Sequence, residues 1–218
     1  MQYRLGPNNS FKPTPHRGVN SVPCATLHAV ATPPRGGLTQ ALEPTPTMPD
    51  IPTPDFDDPK EIYAFFGLAA YAVNLLESSL INWTTALRLG AFNGATRQDF
   101  DSTFDHFEAK TLGQLMVATR SLTAVPPNID VVLRNALTDR NRLIHRFFRE
   151  HAANVTHPTG QRVVIGELSS MIELFQHADT LVTPIYLSLW KHFGIDEAML
   201  QRELEETLRE TEAKYSGL

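Results

Sequence analysis

Residues 58–90 read DPKEIYAFFGLAAYAVNLLESSLINWTTALRLG, and this stretch decides the fold. Asp58, Pro59 and Glu61 supply an N-cap acid, a proline at the first helical position and an acid at the third. Apolar residues then return with a helical period at Ile62, Phe65, Phe66, Ala69, Val73, Leu76, Leu80, Thr84 and Leu87, until Gly90 ends the pattern. The spacing predicts one helix of about 30 residues, near 45 Å long at 1.5 Å per residue.

Downstream the same period continues. A short helix is expected over 97–108, and Thr111-Leu112-Gly113-Gln114 forms a capping box opening a third helix that stops before Pro126-Pro127. A fourth helix is expected from about 128 to 151. Residues 154–160 look irregular, and Val163-Val164-Ile165 suits a small hairpin or an ordered loop. A fifth helix should run from about 167 to 193 and stop at Gly194. Asp196 then caps a charged sixth, whose Arg202, Glu203, Glu205, Glu206, Arg209 and Glu210 suit a solvated face. So much helix with so little strand signal means an all-α fold, an antiparallel helical bundle.

Upstream of residue 56 the composition changes. Most of the 16 prolines precede Lys60, and few large apolar residues accompany them. Such a segment cannot bury enough surface to offset its ordering entropy, so residues 1–55 are expected to form a disordered Pro-rich tail and 56–218 the helical domain. Residues 9–42 resemble a translated genomic repeat, which makes Met48 a candidate start and removes Cys24; a genuine Pro-rich linker is the other reading.

The chain carries a net charge of −5, so nothing global draws it to nucleic acid or to an anionic membrane, and phosphate binding has to come from a local basic cluster. One cysteine excludes an internal disulfide and disfavours a zinc-thiolate site. No uninterrupted apolar run approaches the roughly 18 residues of a spanning helix, and the expected location is cytoplasmic. His106, His151, His157, His177 and His192 lack metal-ligand spacing, Glu173 and His177 read as a surface pair, and Trp83 and Trp190 read as core. No metal or cofactor is implied.

The expected fourth helix holds the oddest feature. Leu133, Ala136, Leu137, Leu143, Ile144, Phe147 and Phe148 fill one arc of its wheel, and Arg140 falls near the middle. A guanidinium stays charged, and burying it unpaired costs several kcal/mol. An anion must meet it, or the arc must border a cleft. Glu77 lies inside the apolar arc of the first helix and is the natural partner, either as a structural ion pair or as the group orienting Arg140 toward a phosphate. Asn141 and His145 follow along one edge of the arc. Arg134, Arg142, Arg146 and Arg149 make this the one locally basic element, with Arg142, Arg146 and Arg149 as candidate RNA contacts.

Arg140-Asn141-Arg142-Leu143-Ile144-His145 resembles the Arg-polar-x-x-x-His signature of the HEPN superfamily (higher eukaryotes and prokaryotes nucleotide-binding domain), and the likeness in layout extends over about 58–193. Many members are metal-independent endoribonucleases, often toxins of toxin–antitoxin or antiviral systems. The resemblance implies that Arg140 and His145 are the catalytic pair, that Asn141 supports them, and that two copies dimerise to bring two sites to one cleft. RNA supplies its own nucleophile, the 2′-hydroxyl, so cleavage needs proton transfer and charge stabilisation on phosphorus. An imidazole and a guanidinium fork suit those tasks. An antitoxin protein is a candidate partner. A non-catalytic HEPN-like module binding RNA, a nucleotide or a protein is the alternative reading.

Overall fold

The computed structural model describes residues 50–91, 95–195 and 197–216. The expectations for residues 1–49, which cover most of the tail with the repeat, Met48 and Cys24, and the cap at Asp196, lie outside the described residues; of the tail's last residues, Ile51 is half-buried against the core. Among those described, seven α-helices follow one another: α1 (Glu61–Leu89), α2 (Arg97–Glu108), α3 (Leu112–Leu122), α4 (Pro127–His145), α5 (Phe147–Glu150), α6 (Pro158–His192) and α7 (Glu197–Tyr215). A 3-10 turn, Asn154–Thr156, precedes α6, and the described residues contain no strand. The all-α class is as expected.

The signals that start the helices act locally. Asp58 Oδ1 accepts from the Lys60 amide at 2.9 Å, and regular helix begins at Glu61, two residues later than the acid suggested. Thr96 and Asp99 close a capping box on α2; the Thr96 hydroxyl donates to Asp99 Oδ2 at 2.6 Å and the Thr96 amide at 2.8 Å, and together they hold the Asp99 carboxyl below its usual range. The Thr111 amide donates to Gln114 Oε1 at 3.0 Å at the start of α3.

α1 is the central core helix. Ile62, Phe65, Ala69, Val73, Leu76, Leu80 and Thr84 are buried along it, as its period predicts. It lies along α6 over most of its length and also meets α2, α3 and α4. By length and composition α1 is apolar enough to cross a membrane, although no single uninterrupted apolar run in it is that long. Of its most apolar 18-residue window 44% is buried inside the fold.

The directions of the helices depart from a uniformly antiparallel bundle. Arg120 pairs with Asp130 and Leu137 lies beside Gly113, so α3 and α4 form an antiparallel hairpin. Glu77 meets Arg140 while Phe66 meets Phe147 and Phe148, so α4 runs against α1. Arg162 covers Phe56, Ser79 meets Asp179, and Leu89 shares a cluster with Trp190, so α6 runs in the same direction as α1. The short return through α5 and the 3-10 turn sets α6 against α4 and therefore along α1.

Two expectations about the second half are corrected. The expected fourth helix breaks at Arg146, whose backbone (φ −135°, ψ −21°) leaves the helical region, so α4 ends at His145 and α5 follows separately. The expected hairpin or loop at 163–165 is helix, because α6 begins at Pro158, with the His157 Nδ1 accepting from the Thr159 amide at 3.3 Å. Val164 and Ile165 are fully buried, continuing the phase of Leu168, Met171, Ile172 and Phe175. β-branching and glycine argued for strand and loop, and tertiary burial overrode them. Trp83 and Trp190 are buried, as expected.

Residues 198–216 form a second unit, described by itself. It is the body of α7, and Arg202, Glu205, Glu206, Arg209 and Glu210 are exposed on it as expected.

Candidate functional site

α4 is built to hold a charge at its C-terminal half. Pro127 starts it at the first helical position, and Asp130 is clamped between Arg120 (2.7 Å) and Arg134 (2.6 Å). Ile129, Leu133, Ala136 and Leu143 are buried, and Leu137 is half-buried. Toward the C-terminus the cover thins. Ile144 is 46% exposed and Phe148 36%, so these two do not belong to the buried arc the wheel assigned them. Arg140 sits where the buried arc gives out.

There Arg140 Nε donates to Glu77 Oε1 at 3.1 Å, and both side chains are 20% exposed. The far end of the fork reaches Asn141, with Nη1 donating to Oδ1 at 3.4 Å. The structure thus brings Arg140, Glu77 and Asn141 together. A carboxylate on Nε fixes the plane of the guanidinium and offsets part of its charge. His145 is not among these contacts. Its side chain is exposed on the last residue of α4, about 7.5 Å further along the axis and about 140° around it from Arg140. Its carbonyl accepts from Arg149 Nη2 at 3.5 Å.

The three candidate RNA-contact arginines fall in different surroundings. Arg146 and Arg149 are exposed, Arg146 with Glu150 at 3.7 Å. Arg142 is turned into the fold. Its Nε donates to Glu150 Oε2 at 2.6 Å, its Nη1 to Glu167, and its Nη2 lies 3.4 Å from His151 Nε2. His151 is buried, and its Nε2 lies 2.6 Å from Glu167 Oε2. The two carboxylates push Arg142 above its already high range, while Arg142 holds Glu150 and Glu167 below theirs. Nearby Asp139 is raised by burial, against the pull of Arg142.

Sequence reasoning missed this network and one more. Between α1 and α6, Ser79 donates to Asp179 Oδ1 at 2.5 Å, and Thr183 also bonds the same carboxyl. Burial pushes Asp179 and Tyr186 upward. The signal was available, because Asp179 lies within the stripe Phe175, Ala178, Val182, the same anomaly that singled out Arg140. Glu173 and His177 are both exposed on α6. Among the described residues no three metal-ligating side chains gather.

No family model matches the chain, and neither a curated protein nor a solved structure does.

Proposed function

We propose that the protein is a metal-independent endoribonuclease of the HEPN type, working as a homodimer in the cytoplasm with no membrane association. The observation that carries this reading is Arg140, a permanent charge half-buried at the end of an apolar arc and held through Nε by Glu77. A solvated helical face has no need of a carboxylate on a neighbouring helix to hold an arginine at its margin.

In this reading the 2′-hydroxyl of RNA attacks the adjacent phosphorus while His145 of one copy takes its proton. The P–O5′ bond breaks, and the imidazole of the other copy protonates the departing oxygen, leaving a 2′,3′-cyclic phosphate and a 5′-hydroxyl. Arg140 stabilises the charge on the phosphoryl oxygens, and Asn141 donates to phosphate or orients the imidazole. One motif carries one histidine, so a second copy completes the acid–base pair. Exposed Ile144 and Phe148 beside the motif suit such an association. Arg146 and Arg149 supply the local positive charge for RNA. An antitoxin protein would cover the same cleft.

The second reading, a non-catalytic HEPN-like module, gains from Arg142, whose guanidinium is committed within the fold, and from the net charge of −5.

The test is cleavage of RNA by the full chain in EDTA. The expected result is cyclic-phosphate ends, with Arg140→Ala and His145→Ala each lowering the rate at least about 100-fold while the dimer stays folded. Intact RNA with a folded dimer overturns the nuclease reading, and retained oligonucleotide binding under those conditions supports the module.

A further inference from the structure

Residues 139–151 contain neither proline nor glycine, yet the helix breaks at Arg146, directly after His145. Helix breaks have identifiable causes, and here the usual residues are absent. The Arg146 amide still bonds the Arg142 carbonyl at 2.9 Å, and the Glu150 amide bonds the Arg146 carbonyl at 3.0 Å, so the ladder resumes at once after a local departure.

Side chains bridge the break. Arg142 and Glu150 are eight residues apart, and in an unbroken helix their Cα atoms stand about 12 Å apart, on azimuths about 80° different. Here Arg142 Nε reaches Glu150 Oε2 at 2.6 Å. Arg142 is also anchored on Glu167 of α6. His151 closes the arrangement from the far side of α5. Its Nε2 meets Glu167 at 2.6 Å, its Nδ1 meets the Asn154 side-chain Nδ2 at 3.0 Å, and its ring lies 4.6 Å from that of buried Phe147. With Nδ1 accepting from Asn154 and Nε2–H donating to Glu167, one neutral tautomer satisfies both contacts.

We infer that Glu150 and Glu167, acting through Arg142, are positioning residues for His145: they hold the chain break that ends α4 at the imidazole and thereby fix its direction relative to Arg140. The inference rests on the nuclease reading for its catalytic meaning, but its geometry stands apart from it. It also explains why Arg142, one of five arginines between residues 134 and 149, is spent inward. Arg142 holds the backbone, and Arg140 is left for the phosphate.

The experiment compares the full chain with Glu150→Gln/Glu167→Gln, which keeps shape and removes charge, and with Glu167→Asp, which keeps charge. Amide hydrogen exchange is read across residues 143–151 and across α1, and the His145 imidazole is followed by NMR. The double variant is expected to exchange at least tenfold faster over 143–151 with α1 unchanged, and to shift the His145 ring resonances. In RNA cleavage its kcat falls at least tenfold with KM within twofold of wild type, and Glu167→Asp recovers most of that loss. Unchanged exchange and unmoved His145 resonances overturn the inference, as does a kcat loss that only follows the folded fraction. If the wild-type chain cleaves no RNA, the nuclease reading fails, while exchange and the His145 resonances still decide the positioning claim.

Discussion

Replacing Glu77 by glutamine leaves Arg140 a hydrogen-bond acceptor but no counter-charge. Hydrogen bonds to charged groups contribute about 1.5–3 kcal/mol, and fully exposed ion pairs about 0.2–1. Both side chains here are 20% exposed, which places the pair between those limits, at about 1–2 kcal/mol. For a helical unit of this size each kcal/mol moves Tm by about 2–4 °C, so Glu77→Gln is expected to melt about 2–8 °C below wild type. Arg140→Met should cost a similar amount, because it strands Glu77. The double variant should regain most of the loss, since it leaves neither an unpaired charge nor a desolvated ionic pair. Urea denaturation of all four proteins gives the cycle, with an expected coupling of about 1–2 kcal/mol. A coupling below about 0.3 kcal/mol would mean that the two residues do not sense each other, and the account of Arg140 as a held guanidinium would fall with it.

Two further outcomes follow from glycines and from pH. A Cβ on Gly160 would stand 2.4 Å from the Asn154 carbonyl oxygen, whereas one on Gly166 meets nothing within 4 Å. Gly160→Ala should therefore destabilise by about 2 kcal/mol or more, and Gly166→Ala should stabilise by about 0.5–1 through helix propensity; equal effects in thermal melts would refute the close packing of the 3-10 turn on α6. Arg142 holds Glu150 and Glu167 below the ordinary glutamate range, so their contribution is complete above about pH 4.3 and is lost as pH falls through their lower folded values. The stability gap between wild type and Arg142→Met should accordingly be full at pH 6 and shrink below about pH 4, and a gap that stays constant down to pH 2.5 in urea titrations would contradict this.

Much of the core could be read from period alone. On α1 Ile62, Phe65, Ala69, Val73, Leu76, Leu80 and Thr84 are buried where the spacing put them, Phe66 and Leu87 are half-buried, and the two misplaced charges on facing arcs, Glu77 and Arg140, do meet. What the period could not carry was anything decided between helices. A wheel assumes an unbroken helix, so it could not show that Arg142, Glu150 and Glu167 end α4 at His145, nor that Ile144 and Phe148 lie where the cover is thin. Local propensity misled at Val163-Val164-Ile165, whose β-branches suit a strand but whose phase matches the buried face of α6. Direction was equally hidden. That α6 runs along α1 follows from the short return after α4, and no single segment encodes it.

That shared direction has a consequence for biosynthesis. Ser79 and Asp179, which join the two longest helices, are 100 residues apart in the chain. At about 5–20 residues per second, the ribosome needs about 5–20 s to deliver the second after the first. For that interval α1, apolar enough to pass for a membrane segment, waits without the surface it is made to meet. The nascent chain is thus a natural client for chaperones that shield greasy helices, and a slowed translation between the two elements should lower the yield of soluble protein more than the same delay after α6.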